Sequence, residues 1–345
     1  MITIKDLLKG TKPTVIQRVG AMHMIVLESE KENTFTGYVP FQGNGTVSNS
    51  SYGQLRFNNK SDAKMIIPAN AAFLSKTFGQ DHAIMGSHLV DKKSYYEDKT
   101  AACVQQTRGG YIPEAEHEMT FLPYGLREVA YNKRTISSYN KLWEEIKEFN
   151  RKVGANSSSG HLEYYYDHFQ KELDEFVAEF ESLPKQVGAI ILINGNVAGI
   201  ERVPNYEYWQ KMWKPLIRGV YGGLMLEYIK TGKVDIKEAD KITGHLNLKS
   251  IKNLNDLENQ VNKTNTEHEE KIKEIVRSLI TDQFNITDEQ IVGTSTKKFV
   301  ENNQFQGHVI AEGPLFPYTS LVTKTNWFKD GIKYAKFADM PNFDI

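Results

Sequence analysis

The chain has almost no cysteine, since Cys103 is the only one among its 345 residues. A single cysteine excludes an internal disulfide and any zinc site made of several thiolates. Cys103 lies in an alternating stretch, so we interpret it as a small buried apolar side chain. His161 and His168 lie seven residues apart, whereas metal ligands on a helix sit better three or four apart. We therefore predict no metal site.

The chain also lacks an excess of charge of either sign. It holds 42 Lys and Arg against 43 Asp and Glu, which gives a formal net charge of −1. Proteins whose main partner is duplex nucleic acid usually carry a basic excess, because they neutralise phosphates. We therefore predict that nucleic acid is not the main partner.

Long apolar runs are missing as well. The longest one, residues 187–193, is far shorter than the roughly 20 residues that cross a bilayer. The first 13 residues lack the apolar core that a signal peptide needs. We predict a cytoplasmic protein with no membrane partner.

What remains is an ordinary globular composition, with 40% hydrophobic and 25% charged residues. At about 150 residues per domain, the length fits roughly two domains. We predict a β-rich part over residues 1–135 and an α/β part over residues 136–345. The alternative is one continuous domain over residues 15–325.

The hydrophobic period changes along the chain. Residues 14–132 hold short apolar runs broken by Gly, Asn and Ser, which predicts strands and turns. Over residues 162–183 the apolar residues recur at steps of three and four, which predicts one helix that Pro184 stops. Residues 206–231 keep this spacing around Pro215, which predicts a kink or break there.

The pair Asn194-Gly195 lies between two apolar runs and predicts a β-hairpin. The first run, residues 187–193, is apolar on both faces, which indicates a central strand. Residues 254–285 predict a strongly charged helix. The order of elements predicts an α+β fold: a β-rich N-terminal half, central helices, a β-hairpin plus long helix, and C-terminal strands that rejoin the sheet system.

One short segment combines three polar side chains between apolar neighbours. Gln80, Asp81 and His82 supply an amide, a carboxylate and an imidazole, which together can bind ribose hydroxyls or a base edge. His82 is also a candidate catalytic acid or base, because the ordinary pKa of histidine is near 6.5. The alternative is a strand or turn that exposes three polar groups.

A second segment, residues 105–110, places an arginine beside a glycine pair. A guanidinium next to open backbone N–H groups suits a phosphate or a carboxylate. Gln105, Arg108, Gly109 and Gly110 are therefore candidate ligand-binding residues. A surface turn with one arginine is the alternative.

Both segments carry a family resemblance. The chain resembles the domains associated with ADP-ribosylglycohydrolases and rhodanese/phosphatase-superfamily proteins. The segment FGQDHAI is similar to a G-x-K-Q-N-R signature, with Gln80 on the glutamine, Asp81 in place of the asparagine and His82 in place of the arginine. The segment CVQQTRGGY is similar to C-V-E-x-G-R-W: Cys103 and Arg108 match, Gln105 replaces the glutamate, and the tryptophan is missing.

The resemblance extends over most of the chain, about residues 15–325. SSSGHLEYYY is similar to the family's S-x-T-G-x-L helix start. VGAIILINGNVAGIERV is the closest match, to the hairpin pattern V-G-A-V-V-x-I-N-G-x-V-x-G. The departures at His82 and Gln105 fall on charged positions of the family pattern.

The resemblance implies a role near ADP-ribose, NAD-derived nucleotides or a related phosphorylated ligand. We predict a domain that binds such a nucleotide, with processing as an open question, in a stress or bacterial or phage conflict context. The site would form where Gln80 and Arg108 meet. Two alternatives stay open: a non-enzymatic interaction or regulatory module that uses the charged helix, and a structural assembly subunit. The sequence leaves the cofactor and the oligomeric state undecided.

Overall fold

A computed structural model describes residues 2–31, 35–75, 79–110, 117–155, 159–242, 253–279 and 283–325. The strands in chain order are β1 Ile2–Thr3, β2 Thr11–Val19, β3 Met22–Ser29, β4 Tyr38–Pro40, β5 Gly45–Ser51, β6 Gln54–Asn59, β7 Lys64–Ile67, β8 Ala71–Ser75, β9 His82–Ala83, β10 His88–Val90, β11 Tyr95–Asp98, β12 Ala102–Cys103, β13 His117–Phe121, β14 Gln186–Ile193, β15 Asn196–Arg202, β16 Gln283–Val292, β17 Ser295–Glu301, β18 Phe305–Glu312 and β19 Leu315–Thr323.

Most of the helices lie in the middle of the chain, one lies near its start, and one precedes the C-terminal strands. They are α1 Ile4–Leu7, α2 Tyr124–Asn132, α3 Trp143–Val153, α4 Glu163–His168, α5 Gln170–Ala178, α6 Tyr206–Leu216, α7 Gly222–Lys230, α8 Ile236–Asp240 and α9 Leu254–Leu279, with a π turn at Ile217–Tyr221 between α6 and α7. None of the helices in the described ranges is both long enough and apolar enough to cross a membrane.

A nine-stranded antiparallel sheet forms the centre of the molecule. Its strand order is β1-β16-β17-β18-β19-β15-β14-β3-β2, so strands from both ends of the chain flank the central hairpin. The predicted α+β class is confirmed, including the C-terminal strands that rejoin the sheet. The division at residues 135/136 stays a prediction.

The predicted hairpin is confirmed in detail. β14 and β15 are joined by Asn194 and Gly195, whose φ angles are 48° and 78°. Two positive φ values define the type I′ turn that matches the twist of paired strands. Every residue of β14 is buried, because β15 and β3 pair with its two edges and both of its faces are covered.

Alternate residues of the sheet supply two hydrophobic cores, because successive side chains of a strand point to opposite faces. Met24 and Ile191 pack in one core with Trp209 of α6 and with apolar residues of the small sheets formed by β4 to β13. Ile25 and Ile190 pack in the other core with α1, α9 and the C-terminal strands. The β-rich N-terminal half thus covers one face of the large sheet.

One predicted helix differs from the sequence expectation, and a second shows the irregularity that was predicted for it. The helix predicted over residues 162–183 is interrupted at Phe169, where φ is −109° and ψ is 20°, and it ends at Ala178 before Pro184 is reached. The predicted break near Pro215 is confirmed as a π turn directly after it. A π turn inserts one extra residue into a helix and so rotates the residues after it about the helix axis.

A buried ion pair joins the two halves of the structure. Arg127 of α2 donates to Glu201 of β15 at 2.7 Å, and both side chains are at most 2% exposed. The same guanidinium donates to Asn70 at 3.2 Å and to Ser320 of β19. Tyr221 of the π turn donates to Glu201 at 3.0 Å. One cluster therefore connects the N-terminal half, a helix, two strands and the π turn.

We expect the substitution Arg127→Met to lower the free energy of unfolding by about 3–5 kcal/mol, because it leaves a buried carboxylate without its counter-charge. Adding Glu201→Gln should restore part of this loss, since the uncompensated charge is then removed. Urea unfolding monitored by circular dichroism measures both effects.

Arg151→Met is the matched control, because Arg151 pairs with Glu148 on the surface and 72% of its side chain is exposed. It should leave the unfolding midpoint unchanged. If Arg127→Met and Arg151→Met had equal effects, the network would not hold the fold together.

Candidate functional site

A polar cleft of about 400 Å³ opens between the small sheets and the central helices. Strands β8 and β13, helices α4 and α5, the π turn and the loop after β12 all contribute to it. The lining residues are Leu74, Ser75, Arg108, Glu118, Thr120, Glu163, Tyr166, Asp167, Gln170 and Arg218. Two arginines and three carboxylates therefore face a common space.

The loop that carries Arg108 is fastened to the start of α4. Gln105 and His161 form an isolated antiparallel bridge. The N–H of Thr107 donates to Nε2 of His161 at 3.0 Å. The N–H of Gly160 donates to Oε1 of Gln106 at 2.8 Å. These contacts connect the CVQQTRGGY and SSSGHLEYYY segments through residues that lie at least 54 positions apart in the chain.

Gly160 makes this junction possible. A Cβ atom at this position would lie 2.7 Å from both Cα and the carbonyl oxygen of Trp143. Real Cβ atoms do not approach backbone this closely, so a larger residue would push α4 away from α3. The glycine therefore sets the position of α4, which bears Glu163 and Asp167, two of the three cleft carboxylates.

Arg108 and Glu163 both line the cleft and form an ion pair there. Nη2 of Arg108 lies 3.0 Å from Oε2 of Glu163, and the arginine side chain is 43% exposed. Nε2 of Gln105 donates to the same carboxylate oxygen at 3.1 Å. A half-exposed guanidinium with one carboxylate partner keeps N–H groups available for a ligand.

Arg218 enters the cleft from the π turn. Its Nε donates to Asp174 at 2.6 Å, and its guanidinium carbon lies 5.5 Å from the ring centre of Tyr166. Tyr166 passes close to Gly219, and a Cβ atom at position 219 would lie 2.5 Å from the tyrosine hydroxyl. A glycine at this position therefore leaves room for Tyr166. The π turn thus positions the guanidinium of Arg218 in the cleft and, through Gly219, leaves room for the side chain of Tyr166, which also lines the cleft.

The predicted segments do meet. Nε2 of Gln80 donates to the carbonyl of Arg108 at 2.8 Å. The N–H of Asp81 donates to Oε1 of Gln105 at 3.3 Å. The side chains of Gln80 and Asp81 are almost fully buried, so they support the loop from behind and are not part of the cleft lining.

Asp81 is nevertheless chemically unusual. Burial is the main cause that raises its pKa to about 7, and the nearby carboxylates of Glu163 and Asp167 add to the rise. The N–H of Ser75 donates to Oδ1 at 2.7 Å, whereas Oδ2 has no hydrogen-bond partner among the described residues. The acid form of Asp81 is therefore well populated near neutral pH.

His82 lies elsewhere. Its side chain is 1% exposed, its Nδ1 lies 3.0 Å from the carbonyl of Gln80, and its Nε2 accepts from the N–H of Gly53 at 3.2 Å. Burial lowers its pKa to about 4. Both ring nitrogens are engaged in the fold, so the geometry favours a structural role, and the catalytic role stays a prediction.

The glycine pair follows Arg108 on the exposed loop. Gly110 has a φ of 115°, a conformation that favours glycine. A Cβ on Gly109 would lie 3.6 Å from the hydroxyl of Tyr52, which is ordinary contact. Their predicted part in ligand binding stays a prediction.

Arg108 is the one predicted site residue in the cleft lining, and the four other charged residues that line it were not predicted, namely Glu118, Glu163, Asp167 and Arg218. Glu163 and Asp167 follow directly on the SSSG helix start, so their spacing of four was a usable signal. Glu118 belongs to the carboxylate-rich stretch 114–118, which the sequence favours as a solvated loop over a divalent-ion site. Nothing local distinguishes Arg218. Across the described ranges there is no group of three or more His, Cys, Asp or Glu side chains that could hold a metal ion.

We expect Asp81→Asn to stabilise the protein in a pH-dependent way. A carboxyl whose pKa rises on folding stabilises the folded state below its unfolded pKa of 3.8 and loses this contribution as the pH rises through about 7. An uncharged amide avoids that loss. The variant should match the wild type near pH 4 and exceed it at pH 8 by at most about 4 kcal/mol.

Urea unfolding at both pH values measures the difference. Asp62→Asn serves as the control, because that side chain is 91% exposed. An Asp81→Asn variant that is less stable than the wild type at pH 8 would show that the carboxylate is ionised in the folded state and has a partner.

Comparison with known proteins identifies the family. No curated protein and no solved structure matches the chain. Residues 16–310 match the family model ARPP-1, described as the ARG and Rhodanese-Phosphatase-superfamily-associated Protein domain. The expansion of ARG as ADP-ribosylglycohydrolase is not part of that description. Because the match extends over most of the chain, the protein belongs to the ARPP-1 domain family.

Proposed function

We propose that the cleft binds the ribose-phosphate part of a nucleotide of the ADP-ribose or NAD class. The observation that carries the proposal is that Arg108 and Arg218 line the same cleft as Glu118, Glu163 and Asp167. Such a ligand has anionic phosphates and neutral hydroxyls side by side. The cleft offers groups of matching chemistry for both.

The arginines are the phosphate-binding groups of this proposal. A planar guanidinium forms strong, directional hydrogen bonds to phosphate oxygens. Arg108 is half-exposed, and its ion pair with Glu163, the one it makes within the described part of the chain, leaves further N–H groups for a ligand. The exposed residues Gly109 and Gly110 follow directly in the chain, and their backbone N–H groups suit the same phosphate.

The carboxylates are the hydroxyl-binding groups. An ionised carboxylate only accepts hydrogen bonds, and ribose hydroxyls are donors of the right kind. Asp167 lies one helical turn after Glu163 on α4, so both can contact one sugar. Three carboxylates against two arginines disfavour a ligand that consists of phosphate alone and favour one that also carries hydroxyls.

The name of the family adds an associational argument. The name states an association with ARG and with rhodanese-phosphatase-superfamily proteins. The link between ARG and ADP-ribose chemistry is part of our proposal. Association with other proteins does not by itself define a reaction. We propose binding, with processing as a separate question, in the cytoplasm and in a stress or conflict setting.

We expect purified protein to bind ADP-ribose or NAD, and Arg108→Ala to weaken that affinity by at least about tenfold, because a charge-assisted hydrogen bond to phosphate is lost. Isothermal titration calorimetry measures the affinity, with ribose 5-phosphate and AMP as smaller probes. Arg218→Ala should weaken binding in the same direction. Chromatography of the incubated ligand shows whether it is also converted.

Arg151→Ala is the control, because it removes an exposed arginine that lies outside the cleft lining. It should bind like the wild type. Absence of binding by the wild type at millimolar nucleotide would contradict the proposal and favour the interaction-module alternative. Equal loss in all three variants would show a non-specific charge effect.

A further inference from the structure

The ion pair between Arg108 and Glu163 has a special position in the cleft. Arg218, the second arginine of the lining, pairs with Asp174, which does not itself line the cleft. Within the described part of the chain, Arg108 and Glu163 form the one ion pair whose two members both line it. The cation that we assign to the phosphate therefore has a carboxylate as its immediate neighbour.

Backbone contacts keep these two residues together. The N–H of Leu162 donates to the carbonyl of Val104 at 2.9 Å, and the isolated bridge described above lies beside this bond. Leu162 directly precedes Glu163, and Val104 lies at the start of the loop that carries Arg108. The distance between the carboxylate and the guanidinium is thus limited by the reach of two side chains, and not by a mobile backbone.

Two donors contact the carboxylate of Glu163 on the same oxygen. Nη2 of Arg108 lies 3.0 Å from Oε2, and Nε2 of Gln105 donates to Oε2 at 3.1 Å. Oε1 has no hydrogen-bond donor among the described residues. Because each oxygen of an ionised carboxylate accepts hydrogen bonds, Oε1 keeps this capacity for a ligand.

A phosphate on Arg108 would lie close to this carboxylate. The guanidinium is a small rigid plane, so two anions that bind to the same group are only a few ångströms apart. Like charges at that distance repel each other, and the repulsion is stronger where the protein displaces part of the water. The side chain of Glu163 is only 26% exposed. Glu163 therefore disfavours a phosphate that brings nothing else to the cleft.

A sugar hydroxyl next to the phosphate reverses the effect of Glu163. A hydroxyl donates a hydrogen bond, and a bond to an ionised acceptor is stronger than a bond to a neutral one. A ribose phosphate holds both groups on one small frame. Such a ligand can bind Arg108 through its phosphate and Oε1 of Glu163 through a hydroxyl, so that attraction offsets the repulsion.

We infer that Glu163 is the specificity-determining residue of the cleft, which rejects phosphates without hydroxyls and accepts phosphates that are attached to a sugar. The inference rests on the proposed function, because it takes Arg108 as the phosphate-binding group. It adds that one side chain carries the discrimination. Specificity of this kind combines a favourable contact to the right ligand with an unfavourable contact to the wrong one.

Isothermal titration calorimetry with two small probes tests this role. Ribose 5-phosphate and methyl phosphate carry the same charged group, but only the first has hydroxyls. At pH 7.5 and constant ionic strength, we expect the wild type to bind ribose 5-phosphate at least about tenfold more tightly than methyl phosphate.

Glu163→Gln should abolish this preference. Methyl phosphate should bind the variant at least about tenfold more tightly than it binds the wild type, because the repulsion is removed. Ribose 5-phosphate should gain little, since its hydroxyl then meets a neutral amide oxygen and forms a weaker hydrogen bond. The ratio of the two dissociation constants is the quantity to compare, because a purely structural role would not change it.

Two controls separate the position of the carboxylate from its charge. Glu175→Gln removes the same charge outside the cleft lining, where Glu175 pairs with Lys171 at 3.7 Å and is 67% exposed. It should bind both probes like the wild type. Asp167 lines the cleft but forms no ion pair within the described ranges. Asp167→Asn should weaken the binding of ribose 5-phosphate and tighten that of methyl phosphate less than Glu163→Gln does.

The outcomes distinguish this inference from the proposed function. If the wild type binds ADP-ribose and ribose 5-phosphate but Glu163→Gln keeps the wild-type preference, the inference alone is wrong. Equal binding of the two probes by the wild type would also overturn it, and this result does not depend on the folding of any variant. Equal tightening of methyl phosphate in Glu163→Gln and Asp167→Asn would reduce the effect to net charge and contradict the assigned role. A wild type that binds neither nucleotides nor probes would overturn both.

Discussion

The ion pair between Arg127 and Glu201 is the contact on which the other parts of the structure depend. Glu201 lies in the middle of the large sheet, where a lone carboxylate would be costly. Its neutralisation requires that α2 crosses the sheet at this point, and the further bonds to Asn70 and Ser320 leave α2 little freedom. The N-terminal half of the chain is positioned in the same step, because Asn70 precedes β8.

That positioning has consequences for the cleft. β8 begins directly after Asn70 and ends at Ser75, which lines the cleft and holds Asp81 through its N–H. On the opposite side, Tyr221 ties the π turn to Glu201, and Arg218 of the same turn lines the cleft. Both walls of the cleft are thus anchored to one buried cluster. The binding site that we propose in this cleft would therefore be preorganised, so little order would have to be gained when a ligand binds.

The features that could be predicted from the sequence are those that neighbouring residues determine, such as turns and buried strands. Asn194-Gly195 defined a hairpin because only certain residues accept two positive φ angles, and the apolar run before it had to be central. The family resemblance suggested a site where the segments of Gln80 and Arg108 meet, but the sequence left open whether they are neighbours, because no local pattern links residues 28 apart.

Burial is what the local pattern could not show. His82 and Asp81 are adjacent polar residues, yet the fold encloses both, and Asp81 is excluded from a cleft that its backbone helps to build. Arg218 was hidden in an apolar helical pattern, and Glu118 in a short strand. Their part in the cleft depends on tertiary packing and on a π turn, neither of which leaves a distinctive mark in the composition of a short window.

Because of the π turn, the number of residues in this helical segment determines where its side chains point. In an α-helix, residues three apart share one face. Arg218 and Tyr221 are three apart, yet one lines an open cleft and the other contacts a buried carboxylate, because the wider turn spreads them around the axis. Removing one residue here would restore regular winding, and only one of the two side chains could then keep its place. The structure therefore constrains the number of residues between Trp209 and Leu224 as strictly as it constrains which residues they are.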